Sequence, residues 1–380
     1  MAFKRFLLYE TNWNNRLTGI KGARGTGKTT LLLQLIRKSG LPTSKAAWFS
    51  LDEMYFTNHT LVEAAEKFYN QGGQLLALDE VHKYPDWARE IKILYDRYPD
   101  LRIVFTGSSI IDISKQQGDL SRRAIMKELP GLSFREYLQM NGILEFEKFQ
   151  LAGLLSGKSM RSEFPSDFRP LEHFNVYLHS GYYPFSLEDP EGYFARLRQL
   201  VRQIVENDMS SLSGFDIRNA RKLLQLLQII AQQVPFKPNL TKLAEKSGIH
   251  RNSLPNYIHY LEEARLLRLL YPSGQSIANL QKPEKIYLDN SNLQYALAAD
   301  APEYGSIREA FFLSQVSFRH QVTLPARADF LVDNQFIFEV GGASKGFSQI
   351  EGLTNAFVVR DDIDFPIGKA LPLWIFGFLY

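Results

Sequence analysis

Gly22-Ala23-Arg24-Gly25-Thr26-Gly27-Lys28-Thr29 follows the short run Leu17–Ile20, and this stretch decides the fold. It matches G-x-x-x-x-G-K-[ST] in full. The glycines let successive N–H groups point inward around phosphates. Lys28 is expected to reach the β- and γ-phosphates, and the Thr29 hydroxyl to ligate Mg²⁺. A helical pattern, Thr29–Arg37, begins at once, so its N-terminal dipole also faces the anion. Gly22 through Thr30 is therefore the expected nucleotide cradle: Gly22, Ala23, Arg24, Gly25, Thr26, Gly27, Lys28, Thr29 and Thr30.

Downstream, Leu75-Leu76-Ala77-Leu78-Asp79-Glu80 reads as a buried strand ending in an acidic pair. Such a strand carries Asp79 to the sheet edge beside the loop, where it can hold Mg²⁺. Glu80 is placed to activate the attacking water. The run Leu101–Thr106 ends in Thr106-Gly107-Ser108-Ser109, and Thr106 or Ser108 is expected to touch the γ-phosphate or the water. Phosphoryl transfer also gains from a cation on the developing charge. Arg122 and Arg123 are candidates, with action in cis or across a subunit boundary left open; a salt bridge is the structural alternative. No Asn-Lys-x-Asp motif is present, so ATP is preferred over GTP.

Around these motifs the first part alternates strands (Ala46–Leu51, Leu75–Leu78, Leu101–Thr106) with helical patterns (Leu61–Tyr69, Trp87–Tyr98). Alternation of this kind predicts a parallel sheet with helices on both faces. Composition agrees with a folded chain: 380 residues, 45% apolar, 13% aromatic. A net charge of +3 permits only local arguments for nucleic acid. The absence of cysteine removes disulfides, thiolate metal sites and cysteine nucleophiles, and fits a reducing cytoplasm. The N-terminus lacks the features of a signal peptide. The apolar end, Leu371 to Tyr380, is about half the length of a membrane helix and reads as a buried terminal strand. No membrane association is expected.

The loop, together with Ser50-Leu51-Asp52-Glu53, Leu78-Asp79-Glu80-Val81-His82-Lys83-Tyr84-Pro85-Asp86-Trp87, Phe105-Thr106-Gly107-Ser108-Ser109, Leu132-Ser133-Phe134-Arg135-Glu136-Tyr137-Leu138 and Tyr177-Leu178-His179-Ser180-Gly181-Tyr182-Tyr183-Pro184, resembles a large prokaryotic family of AAA-type ATPases. In that family the ATPase precedes a C-terminal region long of unknown function. The resemblance spans nearly the whole chain. It implies an AAA-like P-loop NTPase, then a winged helix and a restriction-endonuclease-like α/β domain of the PD-(D/E)xK type. It also places Arg123 where such proteins carry a Ser-Gly-Arg-Ala-like arginine, with Arg122 replacing the glycine. The expected layout is 1–140 for the ATPase, 141–215 for a helical lid or linker, 216–280 for the winged helix and 281–380 for the nuclease-like domain. A homo-oligomer is expected.

Leu240–Ser247, the turn at Gly248-Ile249 and Ser253–Ala264 have helix-turn-helix spacing, with Leu243, Ala244, Ile249, Leu254, Ile258 and Leu261 as a small core. Leu266–Tyr271 with Ser273-Gly274 would supply a wing. From Ile217 to Lys285 there are eleven Lys/Arg against four Asp/Glu, a local basic excess. Lys246, Arg251, Asn252, Ser253, Asn256, Tyr257 and His259 are the expected DNA contacts; packing against other domains is the alternative role. In the last domain, Asp329 and Glu339 lie in successive short strands, and Glu309 on a helix adds a third carboxylate. The lysine expected two residues after Glu339 is replaced by Gly341, and Lys345 is the candidate substitute. An inherited fold that cuts nothing is preferred. The sequence thus reads as an ATP- and Mg²⁺-dependent ATPase acting on or near duplex or branched DNA. A nucleotide-gated signalling switch and an ATP-dependent nuclease are its rivals.

Overall fold

A computed structural model describes residues 3–107, 120, 122–156, 160–209, 215, 217–232, 240–274 and 283–380. The chain divides into two compact units, Met1–Gly131 and Leu132–Tyr380.

The first unit is built on five parallel strands: β1 (Leu17–Lys21), β2 (Ala46–Ser50), β3 (Leu75–Asp79), β4 (Arg102–Gly107) and β5 (Ile125–Glu128), in the order β2-β3-β4-β1-β5. Every residue of β3 is buried, as expected of a central parallel strand covered on two faces. Leu76 and Leu78 pack with Trp87, Ile91 and Leu94 of the helix Trp87–Arg97 and with Ile103 and Phe105 of β4. Thr60 opens the helix Leu61–Asn70 with a capping box to Glu63. The result is an α/β unit whose strands all point their C-terminal ends toward one edge.

The second unit begins with helices. Ser133 and Glu136 form a capping box on Phe134–Met140. Arg135 donates to the Tyr380 and Phe146 carbonyl oxygens, so this part of the family-like motif ties the unit's first helix to the end of the chain. Three helices follow later, Ala220–Gln232, Leu240–Ser247 and Leu254–Glu263, then the antiparallel pair β6 (Leu267–Leu270) and β7 (Lys285–Leu288). That pair crosses the expected division at residue 280. A five-stranded mixed sheet ends the chain: β8 (Val322–Thr323), β9 (Phe330–Val332), β10 (Phe336–Gly341), β11 (Ala356–Arg360) and β12 (Ala370–Pro372). Its order is β12-β11-β10-β9-β8, with β8, β9 and β10 antiparallel and β10, β11 and β12 parallel. The helix Tyr304–Val316 packs on it through Phe312, whose ring meets Phe330, Phe338 and Phe376.

Two expectations change. Leu373–Phe378 is a 3₁₀ helix, not a strand, and only Ala370–Pro372 pairs. All six residues of that helix are buried, and an edge strand with alternating faces does not enclose every side chain. Pro372 also lacks the N–H to continue the ladder. Asp329 stands just before β9 rather than within it. Among the described residues no helix is long and apolar enough to cross a membrane.

Candidate functional site

β1 ends at Lys21 and delivers the chain into the glycine loop. Gly25 and Gly27 take φ of 81° and 89°, values that glycine adopts without strain. Gly22 meets a different constraint: a Cβ there would stand 2.3 Å from the Leu129 carbonyl oxygen. The Thr26 hydroxyl donates to Ala23 O at 2.9 Å, and Lys28 Nζ donates to Gly22 O at 3.0 Å and Ala23 O at 2.8 Å. The loop thus holds its own lysine against its carbonyl oxygens. The helix Lys28–Ser39 starts at Gly27, with Thr29 exposed and Thr30 half-buried in its first turn. Sequence reasoning misses Arg5. It is buried and donates to Thr26 O at 2.6 Å, Pro130 O at 2.7 Å and Gly131 O at 3.0 Å. A basic residue beside an apolar run, Lys4-Arg5-Phe6-Leu7-Leu8, carries no signal that it turns inward.

Strand register brings the acidic motif to the same sheet edge. Ser50 pairs with Asp79 across β2 and β3, while Ile20 of β1 pairs with Thr106 of β4 and Lys127 of β5. Asp79 is 1% exposed, and its Oδ1 accepts from the Thr106 hydroxyl and, at 3.2 Å, from the Glu80 N–H. Thr106 Oγ1 also accepts from Glu80 N–H at 3.3 Å. The hydroxyl thus joins Asp79 to the turn that follows β3. Ser108, its alternative, lies outside the described residues. Thr29 and Asp79 supply hard oxygen donors of the kind Mg²⁺ takes.

Glu80 has φ 51° and ψ 40°. A left-handed conformation at a non-glycine residue costs on the order of 1–3 kcal/mol and clusters at functional sites. Here it swings the chain out of β3, leaving the Glu80 side chain partly exposed beside the buried Asp79. His82 Nε2 lies 3.5 Å from the Glu80 carboxylate, a neighbour that the sequence pattern does not single out. Arg123 is placed differently. Its Nε and one terminal nitrogen donate to Asp96, each at 3.0 Å. It precedes β5, whose Ile125 is level with Thr18 of β1. Thr18 is four residues before Gly22, roughly 13 Å along the strand at ~3.3 Å per residue. Arg123 thus stands before the N-terminal end of β5, on the side of the sheet away from the end where the loop begins. Arg122 is exposed.

In the helix-turn-helix segment Leu243, Ile249, Leu254, Ile258 and Leu261 are buried and Ala244 is half-buried. Lys246, Arg251, Asn252 and Asn256 are exposed, and Ser253 is half-buried. Tyr257 departs from expectation. It is buried, its hydroxyl oxygen accepts from the Asn219 amide at 3.0 Å, and its ring meets that of Phe215 edge-on. Its position three residues after Leu254 sets it on the apolar face of the helix. His259, also expected at the groove, is exposed but faces Glu262 and Glu263.

Near the C-terminal sheet the structure gathers Glu309, Asp329, Glu339 and Lys345, and adds Lys285 from β7. The Lys285 ammonium bridges Glu309 at 3.0 Å and Asp329 at 3.2 Å. Tyr287 donates to Glu309 at 2.6 Å, and Asp329 Oδ2 accepts the Val340 N–H at 3.0 Å. Lys345 pairs with Glu339, and its stem lies over Gly341, where a Cβ would stand 2.6 Å from it. Glu339 Oε2 has no hydrogen-bond partner among the described residues. Burial raises the Glu309 carboxyl, with the Asp329 charge adding to it. Burial also raises Glu339, against the pull of Lys345. For Lys285 burial opposes the ammonium, but the two carboxylates outweigh it and its pKa rises. No group of three or more His, Cys, Asp or Glu among the described residues is arranged to hold a metal ion.

Residues 14–138 match the model of an AAA domain, and residues 171–303 match a domain of unknown function (DUF8612). An uncharacterized protein of Methanocaldococcus jannaschii is 27% identical over 374 residues, covering 90% of this chain and 79% of that one. Two solved structures of replication initiator DnaA align weakly. One, bound to AMPPCP and single-stranded DNA, has TM-score 0.34 and 17% identity over 68% of this chain and 86% of that chain. The other, AMPPCP-bound DnaA from Aquifex aeolicus, has TM-score 0.28 and 16% identity over 68% and 84%. An S. cerevisiae Hsp104–ADP complex gives TM-score 0.29 and 18% identity over 68% of this chain and 38% of that chain. By its complete glycine-loop motif, its sheet order and the matched domain, the first unit is an AAA-type P-loop domain.

Proposed function

We propose that the protein binds Mg²⁺-ATP in the glycine loop and hydrolyses it. One observation carries the reading: Asp79, Thr106 and Glu80 are linked by hydrogen bonds on the sheet edge at which the complete P-loop begins. Lys28 leaves the Gly22 and Ala23 carbonyls for the β- and γ-phosphates. Thr29 and Asp79 would hold Mg²⁺, which would supply positive charge to the phosphate oxygens. Glu80 accepts a proton from the water that attacks the γ-phosphorus. Thr106 keeps Asp79 in place. Arg123 serves a neighbouring copy, which makes a homo-oligomer the working form. The test is ATP turnover with three proteins. Wild type should turn over. Lys28→Ala should lose affinity or turnover. Glu80→Gln should bind ATP but hydrolyse it at least about a hundredfold more slowly. Wild-type turnover in Glu80→Gln removes the assignment.

The second unit is proposed to act on duplex or branched DNA. Three helices followed by an antiparallel pair support a winged helix, and exposed Lys246 and Arg251 beside Asn252 and Asn256 support groove contact. The mixed sheet with Glu309, Asp329 and Glu339 is in keeping with a nuclease-like fold. Cutting is disfavoured, because Lys285 already occupies the space between two of its carboxylates.

A further inference from the structure

We propose that Arg5 is a positioning residue for the nucleotide, clamping the P-loop to the segment Leu129–Gly131 at the end of the ATPase unit. The inference rests on the nucleotide-binding reading above. Arg5 is 3% exposed, yet its guanidinium donates to backbone carbonyls from two distant stretches: Thr26 in the loop, and Pro130 and Gly131 after β5. A planar fork with five donors can span such acceptors at once; a lysine ammonium on a flexible stem does so poorly. Two further contacts lie on the same seam. Leu129 N–H donates to Lys21 O at 2.7 Å. Gly22 packs so closely on Leu129 O that a Cβ would stand 2.3 Å from it. The loop and the exit segment therefore move together.

Phosphate binding gives the clamp a task. Lys28 holds Gly22 O and Ala23 O in this structure. Once Lys28 turns to the phosphates, those carbonyls lose that donor, while Arg5 still anchors Thr26 O. The loop N–H groups then stay aimed inward, and a shift of the loop passes through Arg5 to Pro130 and Gly131, where the unit ends.

The test uses the full chain, with ATP for turnover and AMPPCP for hydrogen exchange. Three forms are compared: wild type, Arg5→Lys, and Arg5→Ala with and without guanidinium ion. In wild type, AMPPCP should slow amide exchange over residues 126–131. In Arg5→Lys the KM for ATP should rise about tenfold, as expected for losing charge-assisted hydrogen bonds, with kcat within about twofold. The AMPPCP-dependent protection should vanish while far-UV circular dichroism is unchanged. Guanidinium should restore part of the KM in Arg5→Ala. Wild-type KM and protection in Arg5→Lys would overturn the proposal. So would an Arg5→Ala protein whose KM guanidinium leaves unmoved. A wild type that binds no ATP would remove the nucleotide reading itself, a distinguishable failure. Should Arg5→Ala not fold, Arg5→Lys decides alone.

Discussion

Replacing Thr106 with valine keeps the shape of the side chain and removes one hydroxyl. That hydroxyl is fully buried, donates to Asp79 Oδ1 and accepts the Glu80 N–H at 3.3 Å. A hydrogen bond to a charged group contributes ~1.5–3 kcal/mol. If that energy holds Asp79 in its Mg²⁺-binding pose, the Mg²⁺ needed for half-maximal turnover should rise by about tenfold to a hundredfold. The assay is steady-state ATP hydrolysis against Mg²⁺ at fixed ATP, with Thr106→Ser as the control that restores the hydroxyl. Thermal melting checks that the fold survives. The sequence pattern alone puts Thr106 on the γ-phosphate or the water, and the two roles separate cleanly. A Thr106→Val protein with reduced kcat but unchanged Mg²⁺ half-saturation would refute the Asp79-holding role and favour direct contact with the phosphate or the water.

Arg123→Ala mixed with Lys28→Ala should recover part of the turnover each lacks alone, since the structure sets Arg123 at the sheet edge away from its own loop; no recovery in verified mixed assemblies sinks the role across subunits. Lys246→Glu with Arg251→Glu should weaken duplex binding, and wild-type affinity should fall steeply with salt as counterions are released; unchanged affinity in the double variant leaves only a packing role. Tyr257→Phe should lose about 1 kcal/mol of stability through the Asn219 hydrogen bond yet bind DNA as before; denaturant titration and gel shift report the two separately.

The glycine loop and the acidic strand are legible in the sequence because each depends on residue types at fixed spacing within a few positions. Gly25 and Gly27 need their positive φ, and Leu75–Asp79 needs to be largely apolar because it is covered on both faces. The helix-turn-helix core is legible for the same reason, its leucines and isoleucines recurring at helical spacing. Tyr257 shares that spacing, and its polar tip obscures a buried ring. What stays hidden depends on contacts distant in sequence. Arg5 meets Pro130 and Gly131 across more than a hundred residues. Lys285 is followed by the apolar Ile286, and nothing local says that its ammonium ends between Glu309 and Asp329. The 3₁₀ end of the chain reads as a strand because a uniformly apolar run has no periodicity to distinguish strand from helix.

Lys285 bears most directly on what the C-terminal cluster can do. Its side chain is 10% exposed, and removing one partner of a buried ion pair costs ~3–5 kcal/mol. Lys285→Met should therefore destabilise the fold near neutral pH, leaving Glu309 and Asp329 facing each other without the ammonium. The pH dependence follows from the shifts. The Lys285 pKa is raised above 10.5, so its contribution is present below that value and lost as pH rises through the folded-state value. Glu309 and Glu339 are raised above 4.5, so protonating them favours the fold in acid, and that contribution is lost as pH rises through their folded-state values. The gap between wild type and Lys285→Met should be widest at neutral pH. It should narrow in alkali as pH rises from 10.5 through the raised folded-state value of Lys285, and narrow in acid as the repulsion between the carboxylates in the variant is titrated away. Denaturant unfolding across pH measures it, and a gap constant from acid to alkali would refute the pairing as the cause. The same arrangement predicts that Mg²⁺ or Mn²⁺ leaves linear, supercoiled and four-way DNA uncut, because an ammonium already satisfies two of the carboxylates that a metal would need. Metal-dependent cutting that disappears in both Asp329→Ala and Glu339→Ala would show instead that Lys285 yields its place. Further loss in Lys345→Ala would then assign the role beside the phosphate to the lysine that lies across Gly341.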